Sequence, residues 1–131
     1  MSNFDMYIYV IGRKDGESVV GPVKVGITKS LSSRVASLQT GSPYELVVVH
    51  ALRVPNREIA TEMEECFHGT QRAHRMKGEW FDLDPYDAVI KLCLHFRFLV
   101  QLQVDDPAYH ERIYEACGVN DAPGIGGRVT Q

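Results

Sequence analysis

Apolar and polar positions along the chain alternate in some stretches and recur with helical spacing in others, and turn-forming pairs separate the two kinds. After Met6, the run Tyr-Ile-Tyr-Val-Ile to Ile11 is rich in aromatic and β-branched residues and predicts a strand. The next stretch, Gly12 to Pro22, contains Asp15-Gly16 and Gly21-Pro22 and predicts a loose connecting loop. Val23 to Thr28 predicts a second strand, antiparallel to the first. Strand alternation then puts Tyr7, Tyr9 and Ile11 on one face of the first strand. In the second strand, Lys24 and Gly26 share a face, opposite Val23, Val25 and Ile27.

The period changes after Thr28. Ser30 as N-cap and Gly41 as C-cap bracket a predicted helix from Leu31 to Thr40, with Leu31, Val35 and Leu38 as its apolar stripe. Arg34 falls at the edge of that stripe. Glu45 to Val54, with three consecutive valines, predicts a third strand. Asn56 is placed to cap a second helix running to about Arg75, with Ile59, Met63, Cys66 or Phe67, and Thr70 as its stripe. Glu64 flanks this stripe beside Ala60, Phe67 and His68, and Glu65 points away from it. Asp84 or Pro85 opens a third helix to about Gln101, and Asp106-Pro107 a short fourth one to Cys117.

This order predicts an α+β fold: a small three-stranded antiparallel sheet flanked by helices, a β-β-α-β-α core with extra C-terminal helices. Residues 1–83 form the core unit. Residues 84–117 form a helical extension packed on the same domain, and 118–131 a flexible tail. A length of 131 residues suits this organisation and is enough for a core without disulfide staples.

Composition narrows the function classes. Hydrophobic residues are 44% and charged residues 24%, the balance of a soluble domain. No apolar run approaches the roughly 20 residues a membrane span requires. The polar start, Met1 to Asp5, is no secretory signal. Cys66, Cys93 and Cys117 are far apart and odd in number, which argues for reduced thiols. The expected compartment is the cytoplasm of a bacterial or phage-infected host cell. Formal net charge is −3, unlike the usual strong nucleic-acid binder. The distribution is uneven, though. Ser18 to Tyr44 holds no acid but contains Lys24, Lys29 and Arg34, and Arg72, His74, Arg75 and Lys77 form a second basic cluster. One face of an acidic protein can therefore be positive.

The ordered set Tyr7-Ile8-Tyr9, Lys24-Val25-Gly26 and Arg34 resembles the signature of the GIY-YIG nucleases, with Arg34 at that family's spacing from Gly26. Met63-Glu64-Glu65-Cys66-Phe67-His68 resembles the helix that carries the family's metal-binding Glu. Thr40-Gly41-Ser42-Pro43 and Gly78-Glu79-Trp80-Phe81 resemble segments of its short, phage-type branch. The resemblance covers Met6 to Leu83. Tyr7 stands where the signature has its first Gly, Lys24 where it has its second Tyr, and Ile27 where some repair-type relatives carry Lys.

The resemblance implies a metal-dependent endonuclease that hydrolyses phosphodiester bonds, with DNA the expected substrate. Glu64 would hold Mg²⁺ or Mn²⁺, hard ions content with one carboxylate plus water and phosphate oxygens. Arg34 would clamp the scissile phosphate through bidentate hydrogen bonds. Tyr9 would act as general base, its phenol pKa lowered from the ordinary value near 10 by Arg34, Lys24 and the metal. Lys24 would donate a proton or contact phosphate, and His68, one turn from Glu64, would move a proton or orient substrate. Lys29, Arg72, Arg75 and Lys77 would bind nucleic acid. His50 on the third strand is the other candidate base beside Lys24.

Taken singly, each residue has a plain structural reading: Tyr9 a half-buried strand aromatic, Lys24 a solvated lysine, Arg34 a helix-edge residue and Glu64 one acid among several. Glu79, Trp80 and Phe81 read as structural, with the two aromatics sealing the core. Cys66-x-His68 lacks the second ligand pair a zinc site needs. Two other functions remain open on the sequence. One is a nucleic-acid-binding module of the same fold that does not cut. The other is a protein-interaction adaptor using Leu92, Leu94, Phe96, Phe98 and Leu99, a cluster that would serve equally as core or as a homodimer seam. A homodimer would let one site per chain address both strands of a duplex.

Overall fold

The computed structural model of the protein describes residues 6–54 and 56–103. Four strands, β1 (Met6–Asp15), β2 (Ser18–Thr28), β3 (Leu46–Val54) and β4 (Trp80–Phe81), form one sheet in the order β3-β1-β2-β4. Every neighbouring pair is antiparallel. Three helices, α1 (Leu31–Thr40), α2 (Arg57–Thr70) and α3 (Pro85–Gln103), complete the α+β fold.

The first two strands are longer than the apolar pattern predicts, because the turn between them is tight. Asp15 pairs with Ser18, so Gly16 and Glu17 alone make the turn. Gly16 supplies the positive φ of 66° that the first central position of such a hairpin demands. Gly21-Pro22, read above as a second turn, lies inside β2. There the register slips between Ile11 and Arg13, as it does where proline withholds a ladder donor.

Strand alternation divides the core in two. On one face Met6, Ile8 and Val10 of β1 join Val23 and Val25 of β2 under α2 and α3. Phe67 of α2 anchors that layer, its ring edge-on to Phe81 with centroids 5.3 Å apart. Ala88, Val89, Leu92, Cys93 and Phe96 of α3 are fully buried in the same layer. Burying each of the larger ones, Val89, Leu92 and Phe96, contributes roughly 1.5–3 kcal/mol. On the other face Tyr9, Ile11 and Leu46 pack under Leu31, Val35 and Leu38 of α1, the stripe its spacing predicts.

Caps set the helix ends. Ser30 Oγ accepts from the Ser33 amide at 3.3 Å, and Asn56 Oδ1 accepts from the Ile59 amide at 2.9 Å. Asp84 Oδ2 accepts from the amides of Tyr86 and Asp87 at 3.0 and 3.2 Å, with Pro85 at the first helical position. The second helix stops at Thr70, short of Arg75, and a 3-10 turn at Arg72–His74 leads towards β4. The fourth helix and the tail read from the sequence lie outside the described residues.

Candidate active site

Cross-strand register assembles the first part of the site. Tyr9 pairs with Gly26 and Ile11 with Lys24, so Tyr9 and Lys24 project from the same sheet face. Gly26 is a glycine because the Tyr9 ring lies over it. A β-carbon there would stand 2.5 Å from Tyr9 Oη and 2.9 Å from Cζ. Across β1 the partner of Tyr9 is Ala51, while His50 pairs with Val10.

Helix α1 brings the second part. Arg34 lies in its first turn, its amide bonded to the Ser30 carbonyl at 3.1 Å. From there Arg34 Nε donates to Tyr9 Oη at 3.0 Å. The phenol is fully buried, and burial raises its pKa above the ordinary value. The Arg34 hydrogen bond and charge pull the other way, and Glu64 and Glu79 add to the rise. Arg34 and Lys24 therefore do not leave Tyr9 with the lowered pKa expected above; its neutral form is favoured in the protein by itself. Arg34 is raised as well, first by its bond to Tyr9.

Helix α2 brings the third part over the edge of the sheet. β4 covers β2 only at Val23 and Lys24. Just beyond, His68 Nε2 bonds the Val25 carbonyl at 3.0 Å. A carbonyl only accepts, so the ring proton sits on Nε2, and any base chemistry by His68 falls to Nδ1. The ring also packs edge-on to Phe81, centroids 5.0 Å apart. Glu64, one turn earlier, is half-buried, and its pKa is raised: burial leads, Glu79 and Glu65 add, and His68 and Lys24 oppose.

Glu79 belongs to this group, although the sequence reading made it structural. Lys24, itself almost fully buried, donates from Nζ to Glu79 Oε1 at 3.3 Å. Its ammonium also lies 5.9 Å from the centre of the Trp80 ring. Burial alone would raise the Glu79 pKa. The Lys24 hydrogen bond and charge, with His68 and Arg75, outweigh it and hold Glu79 below the ordinary value. Lys24 is thus a paired, buried lysine and no solvated one. The signal that would have exposed Glu79 is its place next to Trp80, which pairs with Lys24 in β4. Two residues are too few to read as a strand.

The remaining basic residues divide. Arg72, His74, Arg75 and Lys77 form an exposed strip, with Arg75 Nε bonded to the Gly78 carbonyl at 3.0 Å. Lys29 is exposed at the end of β2, beside the start of α1. Among the described residues no cluster of three or more His, Cys, Asp or Glu side chains is arranged to hold a metal ion. Of the helix-three cluster, Leu92 and Phe96 are core, while Leu94 and Phe98 are exposed. No helix among the described residues is long and apolar enough to cross a membrane.

Residues 6–97 match the T5orf172 domain. The chain belongs to the T5orf172 domain family. That domain occurs in phage proteins and in nuclease-related proteins, and the membership points to a nuclease-like or DNA-related role. Its span takes in Tyr9, Lys24, Arg34, Glu64, His68, Glu79 and most of α3. No curated protein and no solved structure matches the chain.

Proposed function

We propose that this T5orf172 protein is a metal-dependent endonuclease of the GIY-YIG type, hydrolysing phosphodiester bonds with DNA as its substrate. The observation that carries the reading is the 3.0 Å contact from Arg34 Nε to Tyr9 Oη, at the meeting point of β1, β2 and α1. It joins a phosphate-clamping cation to a phenol, and Glu64 acts on both electrostatically. Such a group suits a reaction that needs an aligned water and a stabilised negative charge.

The donor set fits Mg²⁺ or Mn²⁺. Glu64 is a half-buried carboxylate destabilised by a second carboxylate, Glu79, and a cation relieves that repulsion. Mg²⁺ requires no dedicated protein cage; one or two carboxylates with water and phosphate oxygens suffice. A bound divalent ion supplies charge neutralisation at the phosphate. The residues do the rest. With Glu64 neutralised, one of the two charges that raise the Tyr9 pKa is removed, so the Arg34 hydrogen bond and charge are opposed by burial and Glu79 alone. Tyr9 takes the proton of the attacking water at Oη. Arg34 keeps its remaining guanidinium donors for the phosphate. Lys24, directed by Glu79, offers a positive charge on the same face. The strip from Arg72 to Lys77, with Lys29, holds the flanking backbone.

A second reading is a nucleic-acid-binding module that does not cut. The pairing of Lys24 with Glu79 favours it, since the residue at the second tyrosine's place is engaged within the protein. Incubation with supercoiled plasmid separates the two. Nicking in Mg²⁺ or Mn²⁺ that stops with a chelator and in Glu64→Gln supports the nuclease. Retarded but intact plasmid with every divalent metal supports the binding module.

A further inference from the structure

A cavity among the described residues has no role in the chemistry above. It has a volume of about 480 Å³ and opens between the C-terminal end of α1, the loop after it, the start of β3, and Arg13, Pro22 and Trp80 of the neighbouring strands. That volume lies within the roughly 300–1,000 Å³ usual for small-molecule sites. Two of its walls are aromatic. Trp80 is half-buried, and Tyr44 is 52% exposed with its ring beneath the Arg13 guanidinium, 4.6 Å from the ring centre.

The loop that carries Tyr44 is held by its own hydrogen bonds. Gln39 Nε2 donates to the Tyr44 carbonyl at 2.7 Å, and Gln39 Oε1 accepts from the Leu46 amide at 2.8 Å. Ser42 Oγ donates to the Tyr44 carbonyl at 3.0 Å and accepts from its amide at 3.1 Å. The main chain of Tyr44 is thus held at the cavity, and its exposed ring meets Arg13. Leu38 and Trp80 line the cavity and also pack against the cluster that contains Tyr9, so the cavity borders the candidate active site. Arg13, whose guanidinium lies on the Tyr44 ring, gives the cavity a cationic margin that matches a polyanion bringing a flat, apolar group.

We infer that this cavity is a nucleobase subsite, which takes an unpaired or swung-out base of the strand whose phosphate lies at Tyr9 and Arg34. The inference rests on the nucleic-acid reading above and adds the substrate class. Aromatic faces accept any base, since every base has a π-face. A base inside an intact duplex cannot reach such a pocket without leaving its stack. The site therefore favours single-stranded, gapped or frayed nucleic acid over uninterrupted duplex.

Trp80 is the only tryptophan in the chain, so its fluorescence reports on the cavity directly. The full chain, in chelator so that nothing is cut, is titrated with an end-labelled single-stranded DNA oligonucleotide. A fully abasic deoxyribose-phosphate chain of the same length and the matching duplex serve as comparisons. Label anisotropy measures binding, and Trp80 emission measures stacking. The base-bearing strand is expected to quench Trp80 and to bind at least about tenfold more tightly than the abasic chain, the usual scale of base stacking. The duplex quenches less. Tyr44→Ala removes the base-dependent part of the affinity and leaves binding of the abasic chain unchanged. Gly41→Leu partly fills the cavity and does the same; a β-carbon at that position meets no atom within 4 Å. Equal affinity for base-bearing and abasic chains, or binding without quenching, overturns the nucleobase subsite while leaving nucleic-acid binding intact. Failure of all three nucleic acids to bind overturns the nucleic-acid reading itself.

Discussion

At the residue scale, the candidate site depends on two placements that the protein maintains at some cost. The first is the Tyr9 ring against the bare backbone of Gly26. Gly26→Ala forces the phenol away from Arg34 or the strands apart. It is expected to lower stability by about 1–3 kcal/mol, the range for overpacking a filled site, and to cut nicking at least about tenfold. Denaturant unfolding and plasmid nicking measure the two. Full activity at unchanged stability would mean that Tyr9 needs no such support. The second placement is Glu79 near Glu64. Its charge raises the pKa of both Glu64 and Tyr9. Glu79→Gln lowers both, so the acid limb of metal binding, governed by ionisation of Glu64, should move to lower pH. An unmoved or upward-shifted limb would contradict this electrostatic account. The sign for Glu79 itself is opposite. Its pKa is lowered on folding, so its pairing with Lys24 stabilises the fold above the ordinary carboxylate pKa and is lost as pH falls through the folded value.

At the element scale, the parts legible in the sequence are those with a full period or a cap. The stripe Leu31, Val35, Leu38 and the caps Ser30 and Asn56 are enough to define α1 and the start of α2. Alternation in β1 and β2 places Tyr9 and Lys24 on one face. The fourth strand was not legible: a two-residue strand has no period, and its existence depends on pairing with β2 far away in the chain. For the same reason Glu79 was missed as a member of the site. The interior position of Gly21-Pro22 was equally hidden, since a turn pair and a bulge use the same residues. The start of α1 carries a prediction of its own. Ser30→Ala removes the bond to the Ser33 amide and should cost about 0.5–2 kcal/mol of stability. Arg34 lies in the turn that this cap secures, so phosphate binding should weaken with it. A melting temperature and DNA affinity both equal to the wild type's would detach Arg34 from the cap.

At the scale of the whole molecule, α1 covers one face of the sheet and α2 and α3 the other, and the candidate site lies where α2 reaches past the short β4. A net charge of −3 is compatible with DNA because the basic residues are not spread evenly. The family membership speaks for a nuclease-like or DNA-related role, and the Tyr9–Arg34 contact is the observation on which the proposal of catalysis rests. The central claim is that Tyr9 acts on the water while Arg34 holds the phosphate. Single-turnover cleavage and DNA affinity, measured together for Tyr9→Phe and Arg34→Ala, test it most directly. The account predicts that Tyr9→Phe binds DNA almost normally but cuts roughly 10²–10⁴ times more slowly, the usual contribution of a positioned general base, whereas Arg34→Ala loses binding and cleavage together. A Tyr9→Phe protein that cuts at the wild-type rate would contradict it.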